Sequence, residues 1–241
     1  MIIDSERCIS CESCLPYCPV GAIRVADSLV LIDQDECVEC EICQRSGVCP
    51  EDAFIMPQLE WPRVLRNRFS NPLVTHPDTQ VPGRGTEEMK TNDVTGRFQH
   101  GRSGIAVELG RPGTGTLLRD VETIARAVAR VGVRFEPLNP VTTLIQSLDT
   151  GRMQEEVLDE RVLSAIVEFE LPTGDVPQAL KVLEEVACNV DTVFSVDLID
   201  RVNPDGRAPG ADLARASGYS VSENGKTCVG LGRPLREDEP T

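Results

Sequence analysis

The chain has 241 residues, ten cysteines, 4% aromatic residues and a formal net charge of −15. This length allows one small domain beside one domain of ordinary size. The acidic balance excludes a nucleic-acid-binding role, which requires a basic surface, and no apolar run approaches the roughly 18 residues of a membrane-spanning helix.

Eight of the cysteines lie in the first fifty residues, in two copies of one pattern. In each copy, two residues separate the first three cysteines, and a fourth cysteine followed by proline comes later. The first copy holds Cys8, Cys11, Cys14 and Cys18, and the second holds Cys37, Cys40, Cys43 and Cys49. This is the bacterial iron–sulfur pattern, in which close spacing lets one loop present three thiolates to a cluster. The pattern therefore predicts two 4Fe-4S clusters as cofactors.

The ligands can be assigned because the fourth cysteine of each run usually binds the other cluster. We predict that Cys8, Cys11, Cys14 and Cys49 hold cluster 1. We predict that Cys37, Cys40, Cys43 and Cys18 hold cluster 2. The second run has five residues, 44–48, before its last cysteine where the pattern has three, and we expect a local bulge that keeps the ligand. Structural zinc prefers two separated cysteine pairs, and disulfides prefer small secreted scaffolds, so neither alternative explains this spacing as well.

Residues 1–56 resemble a bacterial-type dicluster ferredoxin. The resemblance rests on both cysteine runs and on the sequences Cys-Pro-Val-Gly-Ala-Ile at 18–23 and Cys-Pro-Glu-Asp-Ala-Phe at 49–54. It implies a small pseudo-twofold domain in which the clusters replace a hydrophobic core, so that folding depends on metal. Apolar runs at 1–4, 22–25, 29–32 and 53–56 predict its short strands. The domain carries 11 acidic and 3 basic residues, which suits docking on a basic patch of a redox partner.

Residues 57–103 are predicted to form an extended, proline-rich linker or a partner-wrapping segment. Prolines at 57, 62, 72, 77 and 82 interrupt regular structure, and 47 residues without periodicity are too many for an ordinary loop. The segment carries the single tryptophan, Trp61, and both histidines, His76 and His100. Two interpretations stay open: it holds the two domains of the chain together, or it lies on a partner protein. We interpret the polar run at 83–93 as a solvated turn, with a contact to a partner's substrate or cofactor as the alternative.

From residue 104 the chain contains a repeated strand–helix–strand unit. The first copy has a strand at 104–110, an amphipathic helix at 116–130 and a strand at 131–137; the second has them at 164–171, 175–188 and 190–199. Asp175 is predicted to cap the second helix, with Pro177 in its first turn. A short helix is expected at 155–163. Two such units predict a βαββαβ plait, called ferredoxin-like for its shape and not for any cluster.

The end of the chain is predicted to be a polar loop followed by a hairpin. Asn224 and Gly225 stand between strand-like runs at 219–222 and 227–231, which is a strong hairpin signal. We therefore assign residues 104–241 to one α/β plait domain with a C-terminal hairpin. With the ferredoxin domain at 1–56, the fold class is α+β.

Candidate sites in the second half are few. Leu-Gly-Arg-Pro occurs at 109–112 and again at 231–234, so Arg111 and Arg233 would converge on a carboxylate or an acidic partner surface if they approach each other. Gly-Thr-Gly-Thr at 113–116 leads into a helix, and we favour a structural turn there over an anion site. Cys188 and Cys228 are interpreted as small apolar residues. No nucleophile–base or dinucleotide motif is present.

These patterns predict a cytoplasmic iron–sulfur electron-transfer protein, and more specifically a non-catalytic relay subunit of a larger oxidoreductase. We expect cytoplasmic localisation from the reduced thiols and from the lack of a targeting segment. Because clusters move single electrons, a two-electron reaction requires a flavin or molybdenum cofactor in a catalytic partner, beside an electron donor or acceptor. One alternative is a reductase with its own substrate site around residues 84–97, Arg111 and Arg233. Another is a redox- or metabolite-sensing regulatory protein whose plait binds a small ligand.

Overall fold

The computed structural model describes residues 1–80, 98–110 and 113–223. The N-terminal part is built from two small antiparallel pairs of strands. Strand β1 (Ile2–Ile3) pairs with β4 (Phe54–Ile55), and β2 (Ile23–Ala26) pairs with β3 (Leu29–Ile32). A short helix, α1 (Ile42–Arg45), lies between β3 and β4. The strands lie within or overlap the four apolar runs that predict them.

The core of this N-terminal part is very small. Its buried residues are Met1, Ala22, Ile23, Val30, Cys37 and Phe54. The neighbours packed around them are only partly buried, and they include Cys8, Cys14, Cys18, Cys43 and Cys49. So few buried side chains supply little hydrophobic stabilisation. This is consistent with a fold that relies on ligated metal for its stability.

The segment after the cysteines contains a helix that the sequence interpretation missed. Helix α2 (Val64–Ser70) forms between the prolines at 62 and 72, so those prolines bound a regular element and do not prevent one. Leu65 and Phe69, one helical turn apart, are fully buried in the core of the following domain. This apolar pair at helical spacing was the available signal. Residues 81–97, which include the whole polar run at 83–93, lie outside the described residues.

The rest of the chain folds mainly around one four-stranded sheet, with two further short pairs of strands. The strands of this part of the chain are β5 (Arg102–Leu109), β6 (Thr116–Leu117), β7 (Arg134–Phe135), β8 (Ile145–Ser147), β9 (Arg152–Met153), β10 (Arg161–Val162), β11 (Ala165–Pro172) and β12 (Phe194–Asp200). Its helices are α3 (Leu118–Ala129), α4 (Val176–Val186) and α5 (Pro209–Ala216). Four strands form an antiparallel sheet in the order β12-β5-β11-β7. The combination of helices and sheets confirms the α+β class.

One hydrophobic core joins this sheet to helices α3 and α4. Alternate residues of β5 and β11, such as Val107 and Phe169, point to the same face and are fully buried with Ile124 of α3 and Leu183 of α4. The two helices contact each other over this face. The core is therefore the ordinary layered arrangement of helices on one side of a sheet.

Several predicted elements differ in length from those observed. The strand expected at 131–137 is reduced to β7, and the helix expected at 155–163 is a single 3-10 turn at Glu155–Val157. Asp175 occupies the N-cap position of α4 with Pro177 in the first turn, as predicted, but its side chain makes no capping hydrogen bond. The backbone there is already helical, whereas a capping residue is usually extended.

The region after β12 also departs from its prediction. Residues expected to form a polar loop contain helix α5, which packs against α4 and β12. Pro209 in its first turn was a helix-start signal that the sequence interpretation overlooked. Residues 219–222 form no strand, and residues 224–241, which carry the rest of the predicted hairpin, lie outside the described residues. Within the described ranges, no helix is both long and apolar enough to cross a bilayer.

Candidate metal centre

The eight N-terminal cysteines surround two separate cavities in two sets of four. The first set, Cys8, Cys11, Cys14 and Cys49, lines one cavity. The second set, Cys18, Cys37, Cys40 and Cys43, lines the other. Each set combines three cysteines of one run with the fourth cysteine of the other. No three His, Cys, Asp or Glu side chains of residues 1–80, 98–110 and 113–223 converge on a site the size of a single ion.

Left-handed residues shape the two loops that carry the closely spaced cysteines. Ser10 and Glu12 have φ values of 50° and 62°, and Glu39 and Glu41 have φ values of 53° and 60°. The two pairs occupy equivalent positions, immediately before and after the middle cysteine of each run. This conformation costs a non-glycine residue on the order of 1 kcal/mol. Both loops adopt this conformation despite its energetic cost. Each loop turns its three cysteines toward its own cavity.

The fourth cysteine of each run has the same local geometry in both copies. The Sγ of Cys18 accepts a hydrogen bond from the backbone N–H of Ala22 at 3.1 Å, and the Sγ of Cys49 accepts one from Ala53 at 3.3 Å. Backbone N–H donors of this kind stabilise ligating thiolates and help to set cluster potentials. The extra residues before Cys49 are accommodated by α1 and the turn that follows it, which is the local adjustment expected there.

Burial makes four of these thiols weaker acids in the metal-free chain. It raises the pKa of Cys14, Cys37 and Cys40, and it raises the pKa of Cys43 to about 12. A hydrogen bond from the Ser13 side chain instead lowers the pKa of the exposed Cys11 thiol. Since the thiolate is the form that binds metal, loading of the site must release protons.

Helix α2 holds the second cysteine run in place. The Nη1 of Arg66 donates to the backbone carbonyls of Gln34, Asp35 and Cys37 at 2.9–3.0 Å. The Nδ2 of Asn67 donates to the carbonyl of Glu39 at 2.8 Å. These buried bonds satisfy carbonyls that the tight loop leaves without a strand partner. The segment after residue 57 thus supports, from behind, the loop that lines the second cavity.

A fully buried carboxylate lies within the same loop. The side chain of Glu39 is 0% exposed and accepts hydrogen bonds from Arg63 Nε at 2.9 Å and Nη2 at 2.6 Å. It also pairs with the amino group of Met1, which is equally buried. Two positive groups therefore compensate one negative charge that is placed between Cys37 and Cys40.

The Gly-Thr-Gly-Thr turn approaches the N-terminal part closely. A Cβ on Gly113 would lie 3.2 Å from the carbonyl oxygen of Pro19, the residue after Cys18. A Cβ on Gly115 would lie 3.1 Å from the carbonyl oxygen of Val162 and 3.6 Å from Val20. Both glycines have positive φ values, 72° and 70°. The turn therefore packs the second domain against the loop that carries Cys18.

The N–H groups of this turn and of the first residues of α3 are already used. Thr114 and Gly115 donate to the carbonyl of Gly110, and Leu118 and Arg119 donate to the carbonyls of residues 160 and 158. An anion at a helix start needs such donors to be available. These hydrogen bonds therefore favour a structural turn over an anion-binding site at residues 113–116.

The remaining sequence candidates are placed as follows. Cys188 is exposed in a 3-10 turn after α4, so its interpretation as a buried apolar residue is wrong. The apolar stripe of α4 ends before this turn. His76 is buried beside Phe69, with ring centroids 6.2 Å apart, and His100 is exposed. Arg111, Arg233, Cys228 and residues 84–97, with the predicted convergence of the two arginines, lie outside the described residues.

Comparison with known proteins supports an iron–sulfur role for the first cysteine run. The family of 4Fe-4S binding domains matches residues 1–24, which contain Cys8, Cys11, Cys14 and Cys18. No curated protein and no solved structure matches the chain. The chain thus has an N-terminal ferredoxin-type domain that binds a 4Fe-4S cluster, which confirms the iron–sulfur prediction.

Proposed function

We propose that this protein relays single electrons through two 4Fe-4S clusters, as the relay subunit of a larger cytoplasmic oxidoreductase. The iron–sulfur character rests on the family match at residues 1–24. The observation that carries the proposal further is the division of eight cysteines into two sets of four around two cavities. Four thiolates are what one 4Fe-4S cluster requires.

In this proposal Cys8, Cys11, Cys14 and Cys49 hold cluster 1, and Cys18, Cys37, Cys40 and Cys43 hold cluster 2. Each cluster supplies one-electron redox chemistry when it is bound. The chain supplies thiolate ligands, N–H donors to Cys18 and Cys49, and apolar walls that limit water. Each run contributes ligands to both cavities, and both cavities border the same small core, which would favour electron exchange between the two clusters.

We infer that residues 1–56 form the dicluster domain, residues 57–103 a connecting segment, and residues 104–241 a ferredoxin-like plait. The strand order supports the plait: in the sequence β5-α3-β7-β11-α4-β12, the fourth and second strands lie at the edges, and the first and third at the centre. Contacts of the connecting segment with both domains support its role in joining them. Trp61 donates to Glu156 at 2.7 Å, and Arg63 donates to Glu39.

The proposed partner is a catalytic subunit that carries a flavin or molybdenum cofactor, with a second protein as electron donor or acceptor. A chain of 241 residues with more than half of its length after the cysteines is larger than a simple carrier needs to be. We infer that the plait recognises the catalytic subunit. The excess of acidic residues favours partners with basic surfaces.

The test is anaerobic isolation of the chain from native cells through an affinity tag, with the native mass, metal content and flavin content of the product measured together. Two clusters predict about eight iron atoms and about eight acid-labile sulfides per chain. A stable assembly with a flavin or molybdenum subunit would support the relay-subunit role. An iron-loaded chain that elutes alone would contradict that role, and about four irons per chain would contradict the second cluster.

A further inference from the structure

The two cavities differ in how far they are covered. Four residues lining the first cavity are exposed: Ile9, Cys11, Glu12 and Ser13. Ile9, at 63% exposed, is one of the two most exposed large apolar side chains of the first 56 residues. The residues lining the second cavity are all buried or half-buried, with Cys37, Val38 and Cys40 buried.

The rest of the chain accounts for this difference. Arg66 and Asn67 of α2 bond to the backbone of residues 34–39, and the turn at Gly113 packs on Pro19. All of these contacts fall on the loops that supply the second cysteine set. Within residues 1–80, 98–110 and 113–223, no comparable hydrogen bond reaches the loop of residues 8–14 from the rest of the chain. In the part of the chain that the structure describes, the first cavity is therefore the more accessible of the two to a large partner.

The surface around the first cavity is acidic with an apolar centre. Glu12, which lines the cavity, is exposed, and so are Glu51 and Asp52, which follow Cys49 closely in the sequence. One base, Arg7, faces Asp52 at 3.8 Å. Glu51 lies two residues after Cys49, which lines the cavity. An exposed apolar side chain with acidic side chains nearby suits a transient docking site, because the charges accelerate association with a basic partner protein.

We propose that the face formed by Ile9, Cys11, Glu12 and Glu51, here called the cluster-1 face, is the docking surface for an external redox protein. The partner presents a basic rim around an apolar contact, and its redox centre lies behind that contact. One electron passes between the partner and cluster 1, so that one centre is oxidised as the other is reduced, and no bond forms or breaks. Cluster 2 is then the inner end of the relay. The inference rests on the proposed two-cluster function.

The test uses cytochrome c, a basic redox protein, as the probe. The holoprotein is reduced anaerobically, and the rate of its oxidation by ferricytochrome c is measured at low and high salt. In the double variant Glu12→Lys, Glu51→Lys, we expect the second-order rate at low salt to fall about tenfold, and the rates to converge at high salt. Ferricyanide, a small anion, should oxidise the same variant faster than it oxidises the wild type.

The matched control reverses the same number of charges elsewhere. Asp149→Lys with Glu185→Lys changes two exposed acids of the second domain and alters the net charge equally. If this control slows the reaction as much as the variant of the cluster-1 face, the effect is one of net charge and the inference is overturned. If the lysine variant loses iron, the neutral pair Glu12→Gln, Glu51→Gln replaces it, with an expected reduction of about threefold.

Iron content distinguishes a failure of the two-cluster function from a failure of the docking surface alone. A wild-type protein with about four irons per chain overturns the two-cluster function and this inference together. A protein with about eight irons that reacts equally fast in wild type and variant overturns the docking surface alone. The variant Ile9→Thr adds an independent readout, because loss of the apolar contact should slow the reaction without changing its salt dependence.

Discussion

Arg66 and Glu160 form an almost completely buried ion pair between residues 94 positions apart in the sequence. Their side chains are 8% and 12% exposed. The same guanidinium donates to the carbonyl of Cys37, so one side chain connects the second domain to a predicted cluster ligand. The geometry of the second cysteine set therefore depends on a residue that the sequence pattern does not mark.

Replacement of Arg66 is expected to destabilise the protein strongly. Arg66→Met leaves Glu160 and three backbone carbonyls without their partner, and removal of one member of a buried pair costs about 3–5 kcal/mol. Anaerobic guanidinium denaturation, followed by loss of cluster absorbance, measures the effect. The control is Arg119→Met, which breaks the exposed pair with Asp159 and should change the midpoint little. Equal effects of the two variants would contradict the prediction.

Crossed ligation makes a specific prediction for single cysteine variants. Cys49→Ala should lose the same cluster as Cys14→Ala, and Cys18→Ala should lose the same cluster as Cys43→Ala. Each variant is expected to retain about four irons, and electron paramagnetic resonance of the reduced protein should give one signal for each pair. If Cys18→Ala instead resembles Cys14→Ala, each run binds its own cluster and crossed ligation is wrong.

The buried carboxylate of Glu39 is expected to lower the potential of cluster 2. Glu39→Gln removes a negative charge and leaves Arg63 and the amino group of Met1 uncompensated, so the more negative, reduced state becomes easier to form. A redox titration monitored by electron paramagnetic resonance should show an upward shift for cluster 2 and a smaller one for cluster 1. Glu185→Gln, on the exposed side of α4, is the control. A downward shift, or equal shifts of both clusters, would contradict this account.

Gly151 is predicted to be intolerant of any side chain. Its φ is +69°, and a Cβ would lie 2.3 Å from the carbonyl oxygen of Ala125 in helix α3. Gly151→Ala is expected to cost about 3–5 kcal/mol from steric overlap and left-handed strain together. Gly132→Ala has a similar φ of +78° with open space around it, and should cost about 1 kcal/mol. Chemical denaturation of both variants measures the loss in free energy of unfolding and so separates backbone strain from steric overlap. Similar losses in the two variants would contradict the prediction, because they would mean that helix α3 moves away and relieves the overlap with the new Cβ.

His76 is expected to resist protonation. Burial lowers its pKa from the ordinary 6.5, because the charged imidazolium is poorly solvated there. The neutral form thus stabilises the folded state above pH 6.5, and that contribution is lost as pH falls through the pKa of the folded protein. Nuclear magnetic resonance of the two imidazoles, with His100→Gln to assign them, should place the midpoint of His76 below 6.5. A midpoint at or above that value would be inconsistent with burial as the controlling effect.

Much of the second domain was predictable because its helices are long and amphipathic. Helices α3 and α4 and the strands β5, β11 and β12 lie close to their expected positions, since a sheet face and a helix stripe each leave a regular apolar pattern. Short elements were predicted less well. Helices α2 and α5 have only seven and eight residues, and their stability comes from contacts with distant parts of the chain.

The spacing of the cysteines by itself determined the iron–sulfur chemistry and divided the eight cysteines into two candidate sets. This was possible because three ligands of each set lie within seven residues, where local backbone geometry decides what they can bind. Only the tertiary structure decided which cavity is covered. The contacts of Arg66, Asn67 and Gly113 with the second cysteine run join residues far apart in the sequence. Such contacts depend on how distant parts of the chain pack together, and a local sequence pattern does not specify that packing.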